Sequence, residues 1–353
     1  MRKIALGLIF GGASSEYEVS LLSATSVLNN INPDKYDVYR VGISKSGRIF
    51  YYTGPVCRIA EDRWQGDDCI SCVISPDRGD HGLLLLKGQP ELIRLDCVFP
   101  VLHGKNGEDG TIQGLLSMAG IPYVGCGYLS SAACMDKIVT HTLLDAAGIP
   151  GTKWLGITEY EYRKDEAGFA GKAGRELGYP CFVKPANAGS SVGITRVEDE
   201  AGFAPAMKLA FHNDRRVIVE KMAAGKEVEC AVLGNEEPVA SPLGEIEPCN
   251  NFYDYNAKYI DGKTKTYIPA RISAEAAKKI REMAVQAYKE MGCRGMARVD
   301  FFARDDGSAV LNEINTIPGF TDISMYPQLF MESGMTYSGL IDRLISLAME
   351  DAQ

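Results

Sequence analysis

Two short stretches, Arg298-Val-Asp300 and Asn312-Glu313-Ile-Asn315, carry residue types at spacings that suit metal-assisted chemistry. The apolar and aromatic residues of 296–303 and 309–314 predict two strands, and Asp306-Gly307 between them is a hairpin turn signal. A turn centred between those two residues sets Asp300 opposite Glu313 and Arg298 opposite Asn315. Side chains alternate faces along a strand, so two carboxylates, an amide and a guanidinium share one face. All-oxygen ligands with this much negative charge suit a hard divalent cation that also binds substrate phosphates, Mg²⁺ or Mn²⁺. The competing reading is a solvated face on which the arginine and the acids pair with each other. A register slip of one residue would break the constellation.

A second group of residues has the chemistry of a phosphate or nucleotide site. Within 180–194 a buried strand ends in Lys184, and a small-residue loop with Gly189, Ser190, Ser191 and Gly193 follows. Small residues let backbone N–H groups approach a phosphate, serines add hydroxyl donors, and lysine adds charge. The lysine precedes the glycines, so this is not a GxxxxGK[ST] loop, and a flexible hairpin tip is the plain alternative. Residues 217–222 read as a strand ending in Glu220 and Lys221, the carboxylate suited to hydrogen bonding a base or ribose; Glu227 opens a further strand. Phe252 to Tyr259 holds four aromatics in eight residues. Such a loop covers a ligand as a lid or packs on its own sheet. Lys137, in a helix expected from Ser130 to about Ala147, is by itself a solvated helix lysine.

Nearer the N-terminus, a strand at Ile4–Phe10 meets Gly11-Gly12 and then a helix with Leu21, Ala24, Leu28 and Ile31 on one face. Ser15 and Glu18 fit a capping box. Glu16 lies where the first strand ends and the helix starts, so it is either a carboxylate stabilised by the helix dipole or a ligand-binding group at the strand end. No GxGxxG is present, which weakens a dinucleotide reading. His103 opens the polar loop His103-Gly-Lys-Asn-Gly-Glu-Asp-Gly after an apolar strand, a setting that favours binding over core packing. Further strands are expected at 36–43, 48–52, 95–102 and 122–124, and helices at 274–291 and 337–349.

The chain has 353 residues, 46% hydrophobic and 24% charged, which implies a globular protein of two or three domains. A net charge of −9 argues against nucleic acid or an anionic membrane as partner. No apolar run reaches spanning length, and the short apolar N-terminus reads as a buried strand rather than a signal peptide. The ten cysteines form no paired framework, and Cys69-Ile-Ser-Cys72 lacks the partners of a zinc set, so reduced cysteines in a cytoplasmic protein are expected.

Taken together and in order, these motifs resemble the ATP-grasp superfamily, and within it the D-alanine–D-alanine ligase family. The resemblance rests on Gly11 to Ser20, His103 to Gly110, Met135-Asp-Lys137, Val183-Lys-Pro, Gly189 to Gly193, Tyr253 to Tyr259, Arg298-Val-Asp300 and Asn312 to Gly319. It implies an α/β and α+β ATP-grasp fold: a Rossmann-like parallel-sheet domain (1–130), then two ATP-grasp subdomains (131–227 and 228–353) that sandwich the nucleotide. It further implies that ATP drives the joining of two D-alanines through an acyl phosphate. Two Mg²⁺ or Mn²⁺ ions would lie on Asp300, Glu313 and Asn315, with Glu313 bridging. ATP would be held by Lys137, Lys184, Ser191, Glu220, Lys221, Glu227, Phe252 and Lys258. Glu16 would bind the first D-alanine's ammonium with His103 nearby, Ser190 and Tyr259 would link Glu16 to the lid, Arg298 and the Gly319 N–H would stabilise the oxyanion, and Ser324 and Met325 would receive the second substrate's carboxylate. D-Serine or D-lactate as second substrate is the alternative. The lactate branch lacks the tyrosine present here as Tyr259, and the serine branch commonly has arginine at the position of Met325. A homodimer is expected from the resemblance.

Overall fold

The computed structural model describes residues 2–247 and 265–350. β1 (Ile4–Gly11), α1 (Tyr17–Asn30) and β2 (Tyr36–Ile43) form a parallel crossover. The last six residues of β1 are buried, as a strand covered on both faces requires. The sheet then continues antiparallel through β3 (Ile49–Tyr52), β4 (Cys69–Ile74), β5 (Gly82–Leu85) and β6 (Glu91–Arg94), with the short α2 (Cys57–Ala60) between β3 and β4. β7 (Cys97–Pro100) returns parallel to β1 on its other side. The parallel sheet expected from sequence is therefore only its β2-β1-β7 part. β4 to β6 went unread because their segments are short and β6 is exposed at three of its four positions, leaving little apolar periodicity. The strand expected at 122–124 is a single bridge from Tyr123 to Val98.

α3 (Thr111–Ala119) is followed by α4 (Tyr128–Met135) and α5 (Lys137–Ala146), where the sequence suggested one helix. Asp136 interrupts it with extended backbone. Its carboxylate accepts from Val139 N at 3.0 Å and from Arg216 at 2.7 Å, capping α5. Aspartate competes with helical hydrogen bonding in mid-helix and is favoured at an N-cap; the break makes Lys137 the first residue of a helix. The capping box expected at Ser15 and Glu18 is absent: Glu16 occupies the N-cap of α1 without a side-chain cap, and Glu18 reaches Lys45 at 2.6 Å. β8 (Trp154–Thr158), α6 (Glu159–Lys164), α7 (Glu166–Glu176), β9 (Cys181–Pro185), β10 (Thr195–Val197), α8 (Phe203–Asn213) and β11 (Arg216–Lys221) build a second sheet, order β10-β9-β11-β8, with its own core.

The third sheet, order β14-β13-β12-β15-β16, is antiparallel: β12 (Lys226–Leu233), β13 (Val239–Glu247), β14 (Lys265–Tyr267), β15 (Met296–Ala303) and β16 (Ala309–Asn315). Helix α9 (Ala274–Glu290) lays Ala276, Ile280, Ala284 and Ala287 against it. α10 (Met325–Glu332) and α11 (Tyr337–Glu350) return to the first sheet, where Leu340, Ile341 and Leu344 share one core with Leu6, Phe99 and Phe320.

The β15–β16 hairpin pairs Asp300 with Glu313 and Arg298 with Asn315, as the sequence suggested, but by a different route. Near the turn Phe301 faces Leu311 and Ala303 faces Ala309, so the loop is centred on Asp306, half a residue from the expected centre, and the pairing there is shifted by one residue. A β-bulge at Asn312 restores the expected register beyond it. Two one-residue errors in the sequence argument cancel.

Gly11, at the end of β1, has φ +89°, and a Cβ there would stand 2.1 Å from the Ile43 carbonyl oxygen. Gly11→Ala must move backbone as well as adopt a left-handed conformation, so it should destabilise the protein by about 2 kcal/mol or more. Urea unfolding measures this; a midpoint equal to that of the unmutated chain would refute the close approach.

Candidate active site

Where the three sheets meet, Arg298 lies between two carboxylates. Its Nε and Nη2 donate to the two oxygens of Asp300 at 2.8 and 2.7 Å, and Nε stands 3.1 Å from Glu229 on the neighbouring strand β12. Asn315 Nδ2 donates to Asp300 at 2.9 Å. Asp300 is only 2% exposed and Glu229 only 4%. Burial opposes the charge on Arg298, but Asp300 and Glu229 more than offset it and hold the guanidinium firmly protonated. The arginine–acid pairing that counted as the plain alternative is present, yet it is buried and multidentate. No described residue accepts from Nη1, leaving that edge of the fork for a ligand.

Arg298 lines a cavity with Glu16, His103, Glu108, Ser190 and Gly319. Ser190 and Ser191 both hold positive φ, +48° and +59°, a strained pair that aims Ser190 Oγ at Glu16 Oε1, to which it donates. A Cβ on Gly104 or Gly189 would come within 2.2 or 2.6 Å of the Glu16 carboxylate, so only glycine lets both loops approach it. Glu108 accepts from Gly104 N at 2.7 Å and Ile317 N at 3.3 Å. Burial, and then the Glu16 carboxylate, push its pKa up to about 8. His103 is 4% exposed and both ring nitrogens are committed, Nδ1 to Ile317 O and Nε2 to Ser23 Oγ, each at 3.0 Å. It braces the cavity wall rather than offering a free nitrogen to a substrate.

A second cavity of about 400 Å³ runs between the second and third sheets, lined by Lys184, Glu220, Lys221, Glu227, Phe182 and Phe302 among others. Its size suits a small organic ligand. Glu220 is 3% exposed; it takes Lys184 Nζ at 2.7 Å on one oxygen and His141 Nε2 at 3.1 Å on the other. Burial opposes its charge, but the Lys184 ammonium and His141 hold its pKa well below the usual carboxylate range. Lys137, Ser191 and Glu313 line both cavities, which therefore adjoin at these residues. Lys137 donates to Ala188 O at 2.7 Å, and burial pulls its pKa down against the field of Glu313. A half-buried lysine at a helix N-terminus opposes the helix dipole, an arrangement suited to an anion arriving between the two.

The structure thus brings together Glu16, Ser190, Ser191, Lys137, Arg298, Glu313, Asn315 and Gly319, with Asp300 beneath Arg298. Ser324 and Met325 stand apart from both cavity linings. Ser324 Oγ accepts from Thr321 N at 2.9 Å, and the Met325 side chain is buried against Gly244 and in the core with Leu329. Phe252, Lys258 and Tyr259, and with them the expected lid, lie outside the described residues. Sequence reasoning passed over Glu108, Glu229 and His141 as site residues. The spacing of Glu227 and Glu229 on one strand face was a usable signal for Glu229; nothing local marked His141. Two carboxylates and an amide on one sheet face are the hard oxygen donors that a divalent cation requires, and the donor set fits.

Residues 5–126 match the family model described as "D-ala D-ala ligase N-terminus", and residues 143–346 the one described as "D-ala D-ala ligase C-terminus". A D-alanine–D-alanine ligase of Acetivibrio thermocellus is 48% identical, over 97% of this chain and 95% of its own length. One from a Thermoanaerobacter species is 49% identical, over 99% and 98%. Among solved structures, the VanG D-Ala:D-Ser ligase from Enterococcus faecalis superposes with a TM-score of 0.90 at 45% identity, covering 98% of this chain and 100% of that one. The D-alanine-D-alanine ligase from Coxiella burnetii gives 0.85 at 35% identity, covering 100% and 96%.

The Lys184–Glu220 pair separates stability from binding. Lys184→Met alone leaves a buried carboxylate short of its main counter-charge and should cost about 3 kcal/mol. The double variant with Glu220→Leu should recover most of that loss in urea unfolding, while nucleotide affinity stays low in both. Restored nucleotide binding in the double variant would show that neither residue touches the ligand.

Proposed function

This chain belongs to the D-alanine–D-alanine ligase family, and from that premise we propose that it joins two D-alanines into D-alanyl-D-alanine for peptidoglycan precursors. The reaction is driven by cleavage of ATP to ADP and phosphate. What carries the reading is one cavity lined by Glu16, Ser190, Arg298 and Gly319 that adjoins a nucleotide-sized cavity at Lys137, Ser191 and Glu313.

In this reading the first D-alanine sets its ammonium against Glu16, whose carboxylate is oriented by Ser190. Its own carboxylate then attacks the γ-phosphorus of ATP, ADP leaves, and an acyl phosphate forms. The amine of the second D-alanine attacks the acyl carbon and loses a proton, and phosphate departs from the tetrahedral intermediate. The oxyanion of that intermediate is met by Arg298 and the Gly319 N–H, donors already held in place by Asp300, Glu229 and the surrounding loop. Lys137, Lys184, Ser191, Glu220, Lys221, Glu227, Phe252 and Lys258 hold the nucleotide, and Tyr259 joins the Glu16–Ser190 link. Asp300, Glu313 and Asn315 would hold the divalent cations, Mg²⁺ or Mn²⁺. When bound, these supply neutralisation of phosphate charge, the main need of phosphoryl transfer. Ser324 and Met325, where α10 begins, receive the second carboxylate.

The domain division at 130 and 227, a homodimeric state and a cytoplasmic location are part of the same proposal. Among the described residues no helix is long and apolar enough to cross a membrane. The likeness to a D-Ala:D-Ser ligase supports a second reading, in which D-serine is the second substrate.

Phosphate release with ATP and Mg²⁺, with products identified by mass, tests both. Turnover on D-alanine alone to the dipeptide is expected. Turnover only after D-serine is added would establish the second reading, and none under any pairing would refute the assignment. Glu313→Gln should lower turnover on the order of a hundredfold or more while the circular dichroism spectrum is unchanged; a near-normal rate would remove Glu313 from the cation site.

Glu108 adds a linkage. An ammonium beside Glu16 offsets the negative field that helps hold Glu108 at about 8, so its pKa falls and a proton leaves when D-alanine binds near neutral pH. Calorimetry in buffers of different ionisation enthalpy should show that release, and Glu108→Gln should abolish it. Equal apparent enthalpies in all buffers for the unmutated enzyme would rule the coupling out.

A further inference from the structure

We infer that Ser23, on the second turn of α1, is a positioning residue for the Gly319 N–H, an inference that rests on the ligase reading above. Ser23 is fully buried and does not line the cavity itself. The direction of each hydrogen bond around it can be assigned. The carbonyl of Ile317 only accepts, so His103 Nδ1, 3.0 Å away, carries the proton. Burial brings the His103 pKa down to about 4, so at neutral pH Nε2 is bare and accepts from the Ser23 hydroxyl at 3.0 Å. A lone pair of that hydroxyl oxygen then accepts from Phe320 N at 3.1 Å.

One hydroxyl thereby ties both flanks of Pro318-Gly319: Phe320 directly and Ile317 through the imidazole. Two further groups secure the same flanks. Glu108 accepts from Ile317 N at 3.3 Å, and Tyr337 donates to Phe320 O. Pro318 has no N–H and a fixed φ, and no described residue accepts from Gly319 N. The four-residue loop thus has every flank held and a single donor left over, pointing to preorganisation of that donor. Ser20, one turn earlier on α1, is already engaged by Val101 O and Gly11 N, so α1 is itself fixed to the first sheet. Through Ser23 that sheet sets the position of an amide belonging to the third. An amide donor displaced by a few tenths of an ångström loses alignment with the developing oxyanion more than with the ground-state carbonyl.

The test is Ser23→Ala, with Tyr337→Phe as a milder variant that loosens the same loop from its other side. Three quantities are compared with the unmutated enzyme: kcat for dipeptide formation, nucleotide affinity, and affinity for a phosphinate dipeptide analogue that mimics the tetrahedral intermediate. Ser23→Ala should lower kcat about tenfold or more and weaken the analogue by a similar factor, with KM for D-alanine and nucleotide affinity within about twofold. Tyr337→Phe should follow the same pattern to a smaller extent. An unchanged kcat and unchanged analogue affinity in folded Ser23→Ala overturns the inference. So does a loss shared equally by nucleotide and analogue, the mark of a merely structural role. If Ser23→Ala does not fold, a Tyr337→Phe enzyme with normal kcat overturns it. Absence of dipeptide from the unmutated enzyme defeats the ligase reading and this inference with it; a failure of Ser23 alone appears against an active parent.

Discussion

A guanidinium shut between two buried carboxylates is the constraint on which the rest of this molecule turns. Arg298 is too buried to be left unpaired, since an uncompensated charge there would cost several kcal/mol. Asp300, two residues along the same strand, and Glu229, on the next strand, meet that need together. Both acids must face inward on adjacent strands, which fixes the register of β12 against β15. Asn315 bonding to Asp300 then fixes β16, and the bulge at Asn312 is the local deformation that lets Glu313 and Asn315 take these places while the apolar residues nearer the turn keep their own pairing.

The polar seam extends outward from this point by the same rule. Some of its links join groups from different parts of the fold, whereas Arg298–Asp300, Arg298–Glu229 and Lys184–Glu220 pair within one sheet. Glu16 of the first sheet takes Ser190 of the second; Lys137 at the start of α5 is held by the carbonyl of Ala188 and the field of Glu313. One apolar cluster joins the first and third sheets and the second sheet has its own; the polar contacts add links across the cavity. Such a seam is preorganised for a reaction that develops negative charge, because its donors are oriented before the ligand arrives.

Much of this was readable from local patterns. Strand β1, the helices at 274–290 and 337–350 and the small-residue loop follow from periodicity and turn chemistry, whereas the pairing of the four hairpin-face residues depends on a bulge that those patterns do not show. The failures have particular causes. The helix from Ser130 breaks because Asp136 gains a cap and Arg216, a partner from β11 about eighty residues distant. The capping box at Ser15 fails because Glu18 finds Lys45 instead. His103 was legible as an important residue, but its role was not: the groups that occupy its two nitrogens come from α1 and from the loop after β16.

Sequence alone determined which chemistries are available: hard oxygen donors on one strand face, a lysine before a loop of small residues, a carboxylate where the first strand meets its helix. These depend on residue type and on the period of a strand or helix, and both are local properties. Tertiary structure decided which of those groups remain free to act. Asp300 is shared with the arginine, His103 braces a loop, Met325 packs into the core, and Lys137 becomes the first residue of a helix at the cavity wall. Whether a polar group is committed or available depends on partners that only folding brings within hydrogen-bonding distance, and on the burial that makes an unpaired group costly.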